Sequence, residues 1–158
     1  MSRLVFALYA ALLLVSAHAQ TQLPIAELTA GFHRIEAEVA SDQASQAKGL
    51  MHRRSMPANH GMLFVFSRTD RHCMWMRNTL IPLDMIFIDA RGEVRHVHAN
   101  ARPLDETAIP GAIAGDASPE RLMVLEVPGG DAARLGITPG MILSHPLLPQ
   151  KDALAPCG

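Results

Sequence analysis

The chain has 158 residues, 14 basic against 15 acidic side chains, a formal net charge of −1, and 49% hydrophobic but only 4% aromatic residues. There is no basic excess to serve a nucleic-acid partner, and the length suits one domain that can bury a core without disulfide staples. Two cysteines without a Cys-x-x-Cys spacing leave a thioredoxin-type redox role without its motif.

The first segment has the layout of a secretory signal peptide. Arg3 supplies the positive start, Leu4 to Val15 is unbroken apolar sequence, and Ala17-His18-Ala19 is an Ala-x-Ala cleavage pattern. The apolar run falls short of the roughly 20 residues a spanning helix needs. The expectation is cleavage before Gln20 and an exported, periplasmic or secreted chain with no membrane contact after processing. Residues 20–31 read as a leader into the fold.

From Phe32 to Ala40 the sequence alternates: Ile35, Ala37 and Val39 share one face, while Arg34, Glu36 and Glu38 share the other. That period predicts a strand with one buried side. Ser41 and Asp42 offer N-cap oxygens, and the spacing of Ala44, Ala47, Leu50 and Met51 predicts a short helix to Met51. After the turn chemistry of Pro57 to Gly61, Met62–Phe66 reads as a buried strand. Cys73–Met76 and Leu83–Asp89 are also strand-like, and Val94–Ala99 returns as a hairpin partner. Asn100–Pro119 lacks periodicity and holds three prolines and two glycines, so it is expected as a surface loop or lid. Arg121–Val127 predicts a strand, Asp131–Leu135 a short helix stopped by Gly136, and Met141–His145 a last strand. After Pro146 the tail is weakly patterned. About six or seven short strands joined by turns predict a mainly β domain over residues 32–145, a small antiparallel β-barrel or jelly-roll-like sandwich with one or two short helices, followed by a C-terminal tail, 146–158.

Candidate chemistry concentrates near the only tryptophan. Met74 and Met76 share a strand face with His72 beside them, and His96 and His98 form a second same-face pair, which is the residue set for a copper or zinc site. Methionine is also a common core filler, and the balance favours packing, so no metal and no cofactor is assigned. Asp84 and Glu126 are carboxylates inside apolar strands. They suit a hydrolase pair, or a structural role satisfied by backbone donors, and the structural role is favoured. No nucleophile motif or phosphate loop is present, so no catalytic residue is assigned. Arg77-Asn78-Thr79 ends a strand with a fork of donors beside Trp75, whose ring would suit a ligand with one apolar face. In an oxidising compartment Cys73 and Cys157 are candidates for a disulfide that pins the tail.

Four ordered motifs then carry a resemblance: Lys48-Gly-Leu-Met-His-Arg53, Gly61-Met-Leu-Phe-Val-Phe66, Met74-Trp-Met-Arg-Asn-Thr-Leu-Ile-Pro-Leu-Asp84 and Val124-Leu-Glu-Val-Pro-Gly-Gly130. The sequence from about Phe32 to His145 resembles the bacterial and archaeal family called domain of unknown function number 192. The resemblance implies a compact β-rich, often exported domain and no established activity. The family's pattern falls on Gly49, Leu50, Met51 and Arg53, on Trp75, Met76, Arg77, Asn78 and Thr79 with Pro82 and Asp84, and on Leu125 and Glu126. Lys48 stands where arginine is usual, Arg77 where lysine is usual, and Met74 where phenylalanine is usual, which makes Met74 a packing substitution.

The expected function is a non-catalytic binding module for a small polar molecule or carbohydrate, with Arg53, Trp75, Arg77, Asn78, Thr79, Asp84 and Glu126 on one face and the Asn100–Pro119 loop alongside. The alternatives are a hydrolase using Asp84 or Glu126, and a structural or accessory protein with no small ligand.

Overall fold

A computed structural model describes residues 22–148 together with Lys151, Ala153 and Leu154. The expected signal peptide and Cys157 lie outside the described residues. In chain order the elements are β1 (Ile25–Ala30), β2 (His33–Ala40), α1 (Gln43–Lys48), β3 (His60–Asp70), β4 (Cys73–Met74), β5 (Leu83–Ile88), β6 (Val94–Ala101), β7 (Ile109–Pro110), β8 (Arg121–Pro128), α2 (Asp131–Arg134) and β9 (Leu143–Ser144). Seven strands form one sheet in the order β6-β5-β8-β3-β2-β1-β9, and β4 pairs with β7 in a separate ribbon. The fold is mainly β, a sheet curled into a half-barrel, as the patterning predicts. A bridge between Glu93 and Ile142 links the two ends of the curl.

The expected all-antiparallel sheet needs one correction. β2 and β3 run parallel, in register from Glu36 opposite His60 to Ala40 opposite Phe64. The reason lies in α1. Asp42 caps it by accepting from the N–H groups of Ala44 and Ser45, while Ser45 closes the capping box. The Gln46 side-chain amide donates to the carbonyls of Ala40 and Val65, tying the helix to both strands. The segment therefore acts as a crossover that returns the chain to the starting end of the sheet, which a parallel pair requires.

Three further segments differ from the sequence expectation. The supposed leader contains β1, whose inward residues are Ala26, Leu28 and Ala30; two alanines give too weak an apolar signal to announce a strand. The long loop is tied down: β6 runs on to Ala101 and β7 lies within it. Buried Arg121 holds its far part, donating to the carbonyls of Gly111, Ser118 and Glu120 and pairing with Asp116. The tail re-enters the core at Leu148, which is buried.

The pleat sorts the apolar residues onto two faces. On the first, Leu28, Ile35, Val39, Leu63, Ile86, Leu125 and Val127 pack with Leu135 and Ile137 from α2 and the turn after it. On the second, Met62, Phe64, Met85, Phe87 and Val124 pack under Leu50, Met76 and Ile109. β5 is buried along its whole length because it carries both faces, which explains its continuous apolar run.

Candidate functional site

Register builds an unusual row across the second face. Glu38 on β2 lies opposite Met62 on β3, Met62 opposite Glu126 on β8, Glu126 opposite Met85 on β5, and Met85 opposite His98 on β6. A row of five side chains thus carries a carboxyl near its centre, flanked by two thioethers. β3 can approach β8 closely there because Gly61 has no side chain; a Cβ at that position would stand 2.5 Å from the Glu126 carbonyl oxygen.

At the β2 end of this row lies an open groove of about 920 Å³ whose lining includes Glu38, Lys48, Met51, His52, Arg53 and Met62. Its central feature is a bidentate pair: both Arg53 terminal nitrogens donate to the Glu38 carboxylate at 2.6 Å. The guanidinium hydrogen bonds hold the Glu38 carboxyl below its usual range, and the same bonds raise Arg53. The pair neutralises itself, as fork-to-fork pairs do, and Lys48 and His52 line the same groove.

The segment from Trp75 to Leu80 is bonded to residues that line this groove. The His52 N–H donates to the Asn78 carbonyl at 2.9 Å, and the Asn78 amide nitrogen lies 3.9 Å from the Met51 sulfur. The 102–105 segment backs it, with Leu104 N–H donating to Thr79 and Met76 N–H donating to Asp105. His52, Asn78 and Leu104 all have positive φ, at 65°, 53° and 64°. Three non-glycine residues in the left-handed region thus lie at the two sides of the Asn78–Thr79 backbone. Trp75 is 47% exposed, and the Arg77 guanidinium carbon sits 5.4 Å from its ring centroid. That distance allows a cation–π contact.

The structure separates the expected site residues. Arg53 lines the groove, Asn78 is bonded to its wall through the His52 N–H, and Trp75 and Arg77 are exposed on the same segment as Asn78. Thr79 is buried, its hydroxyl donating to the Arg77 carbonyl. Asp84 leaves the set. It is 0% exposed and accepts from the N–H groups of Asn100, Gly130 and Ala132, so it ties β6 and the start of α2 to β5. Asp84 lies opposite Val127, whereas Glu126 lies opposite Met85, so the two carboxylates project from opposite faces and form no acid–base pair.

Glu126 is buried to 4% exposure, and desolvation alone pushes its carboxyl up to about 8. The His72 ring stacks on Phe66 at 3.6 Å, His96 packs against Phe87, and among the described residues no three His, Cys, Asp or Glu side chains group as metal ligands. Cys73 is an exposed thiol. Sequence reasoning missed Glu38, Lys48, Met51, His52 and Met62 as groove residues. Glu38 alternates onto the polar side of its strand, and only the crossover through α1 converts that side into a groove wall.

Fold and site together define a small β half-barrel domain with a polar groove beside a buried acid. A family model described as "Uncharacterized ACR", domain of unknown function 192, matches residues 25–145, and the chain belongs to that family. It is similar to a crystal structure of a protein of unknown function from Novosphingobium aromaticivorans DSM 12444, with 43% identity and a TM-score of 0.71 over 80% of this chain and 89% of that one. It is also similar to a crystal structure from Sinorhizobium meliloti 1021 described as a "putative transcription regulator", with 38% identity and a TM-score of 0.68 over 77% of this chain and 92% of that one. No curated protein matches the chain.

Proposed function

We propose that the chain is an exported, periplasmic or secreted, non-catalytic binding module for a small polar molecule or carbohydrate. One observation carries this reading: an open groove walled by the Glu38–Arg53 pair is bonded through His52 and Asn78 to a segment whose tryptophan is half-exposed. Small-molecule sites combine a concave surface with a few fixed polar groups, and prearranged charge pairs supply orientation without a large ordering cost. A purely structural domain would bury Trp75 and leave no groove. Hydrolysis by a carboxylate pair needs the two groups to face one another, and the opposed placement of Asp84 and Glu126 does not support that form of the hydrolase reading. Gene regulation by duplex binding would need a basic face, and the mixed charge of −1 does not favour one. Export is supported by the sequence pattern of residues 1–19.

The test is a thermal-shift screen of the purified chain against sugars, cell-wall fragments and small polar metabolites. A specific ligand raises the melting temperature by mass action. The shift should disappear in Arg53→Ala, Asn78→Ala and Trp75→Ala. A ligand whose effect survives all three substitutions would place binding elsewhere. Fractionation should find a processed chain beginning at Gln20 outside the cytoplasm; an unprocessed cytoplasmic chain would remove the export part of the proposal.

A further inference from the structure

Among the described residues no hydrogen bond or ion pair reaches the Glu126 carboxyl, and burial is the cause of its shift. Every fully sealed side-chain nitrogen or oxygen among the described residues does have a hydrogen-bond partner, so the Glu126 oxygens keep a thread of solvent access. A carboxyl left without a partner in an apolar surrounding is a costly arrangement, and such groups mark places where another molecule supplies the missing bonds.

Met62 connects this group to the groove. It lines the groove and is also the direct cross-strand neighbour of Glu126. Its three rotatable bonds let its thioether swing without moving the backbone, as a branched side chain could not. The other neighbours are soft. Met85 flanks Glu126 across the sheet, and Phe64, Phe87 and Met76 belong to the same buried cluster. Thioether lone pairs and aromatic faces accept a cation and offer nothing to an anion.

We propose that Glu126 is the anchor for a small organic ammonium group that enters from the groove past Met62; this rests on the groove being a ligand site, as proposed above. At neutral pH the unliganded acid is protonated, because burial lifts it to about 8. An ammonium reverses that preference by placing a positive charge against the carboxylate in a low-dielectric site. The step balances as carboxylic acid plus ammonium giving a carboxylate–ammonium pair plus one proton released to solvent. Among the described residues no charged group faces Glu126 directly. Along the row the next titratable groups are Glu38, neutralised by Arg53, and His98 beyond Met85; along β3 the next is His60, which is paired with Glu36.

Titration calorimetry of the purified chain with n-butylammonium and with 1,4-diaminobutane, at pH 7 in two buffers of different ionisation enthalpy, tests the assignment. Binding should release about one proton per ammonium taken up. Glu126→Gln, which replaces the neutral acid by an isostere, should keep the fold, abolish proton release and weaken binding by about tenfold or more. 1-Butanol, equal in length and uncharged, should bind far more weakly than n-butylammonium. Amine binding that is unchanged in Glu126→Gln, binding without proton release, or no amine binding at all overturns the proposal. A sugar that binds the unaltered chain and Glu126→Gln equally, and is lost in Arg53→Ala, leaves the groove reading standing and removes only the ammonium anchor. If neither sugars nor amines bind, both fall.

Discussion

Two acidic residues with similar sequence surroundings have opposite physical roles here. Asp84 is fully engaged by three backbone donors, while Glu126 is engaged by none. Replacing Asp84 by alanine leaves three N–H groups, that of Ala132 in a buried position, without their acceptor and should cost about 3–5 kcal/mol, read as a fall in the urea midpoint at unchanged slope. A loss under about 1 kcal/mol would mean that these donors find water instead. Glu126→Gln should behave differently. The folded-state value of about 8 lies above the ordinary 4.5, so Glu126 favours the native state fully below pH 4.5. That contribution drains away as pH rises toward 8 and is at most about 5 kcal/mol. The glutamine variant should lose this decline, and denaturation at pH 5, 6.5 and 8 would show it.

Individual elements are held by contacts that single substitutions can probe. β3 meets β8 at Gly61, where an added methyl would collide with the Glu126 carbonyl. Gly61→Ala must push the strands apart and should destabilise by about 1–3 kcal/mol. It should also disturb the Met62–Glu126–Met85 row, so any ligand of the groove should bind it more weakly. The segment between β7 and β8 depends on Arg121, which is buried and bonded to three carbonyls and Asp116. Arg121→Ala removes the shared donor of three carbonyls and one of the partners of Asp116 and should cost about 3–5 kcal/mol. Hydrogen exchange should rise first in residues 111–120 and only later in β5 and β8. Uniform acceleration across the sheet would show that this segment is not an independent unit.

At the scale of the whole molecule, two buried groups oppose each other in pH dependence. His145 is pushed down to about 4 by burial, and its Nδ1 accepts from the Leu147 N–H, a bond that protonation would break. A histidine lowered from 6.5 to about 4 adds stability as pH rises through that window and is fully effective above 6.5. Glu126 loses stability from 4.5 to about 8. The slopes cancel where they overlap, so stability should be nearly level between pH 4.5 and 6.5 and should fall from 6.5 to 8. In Glu126→Gln the profile should rise to pH 6.5 and then stay flat. A wild-type profile that keeps rising to pH 8 would contradict the assignment of Glu126 as a buried neutral acid.

Much of the architecture is written locally. The alternation of Ile35, Ala37 and Val39, the apolar run of β5, and the cap at Asp42 each depend on residues within one or two turns or pleats of one another, and each appears where the pattern puts it. Family motifs also mark Arg53, which lines the groove, Asn78, which is bonded to groove-lining His52, Glu126, which is the cross-strand neighbour of groove-lining Met62, and Trp75 on the Asn78 segment. What the local pattern lacks is register between distant strands. Asp84 and Glu126 look alike in sequence, and only the pairing of β5 with β8 sends one to a backbone-lined socket and the other to a thioether-lined face. Likewise, Glu38 reads as a solvated charge until a parallel crossover brings Arg53 against it. The sequence determined the β class, the order of the strongly patterned strands and the residues with unusual chemistry, because these follow from short-range periodicity and side-chain type. Tertiary structure alone decided which charges are paired, which acid is left without a partner and where the groove lies, because a shift of one residue in strand register would exchange the two faces of the sheet.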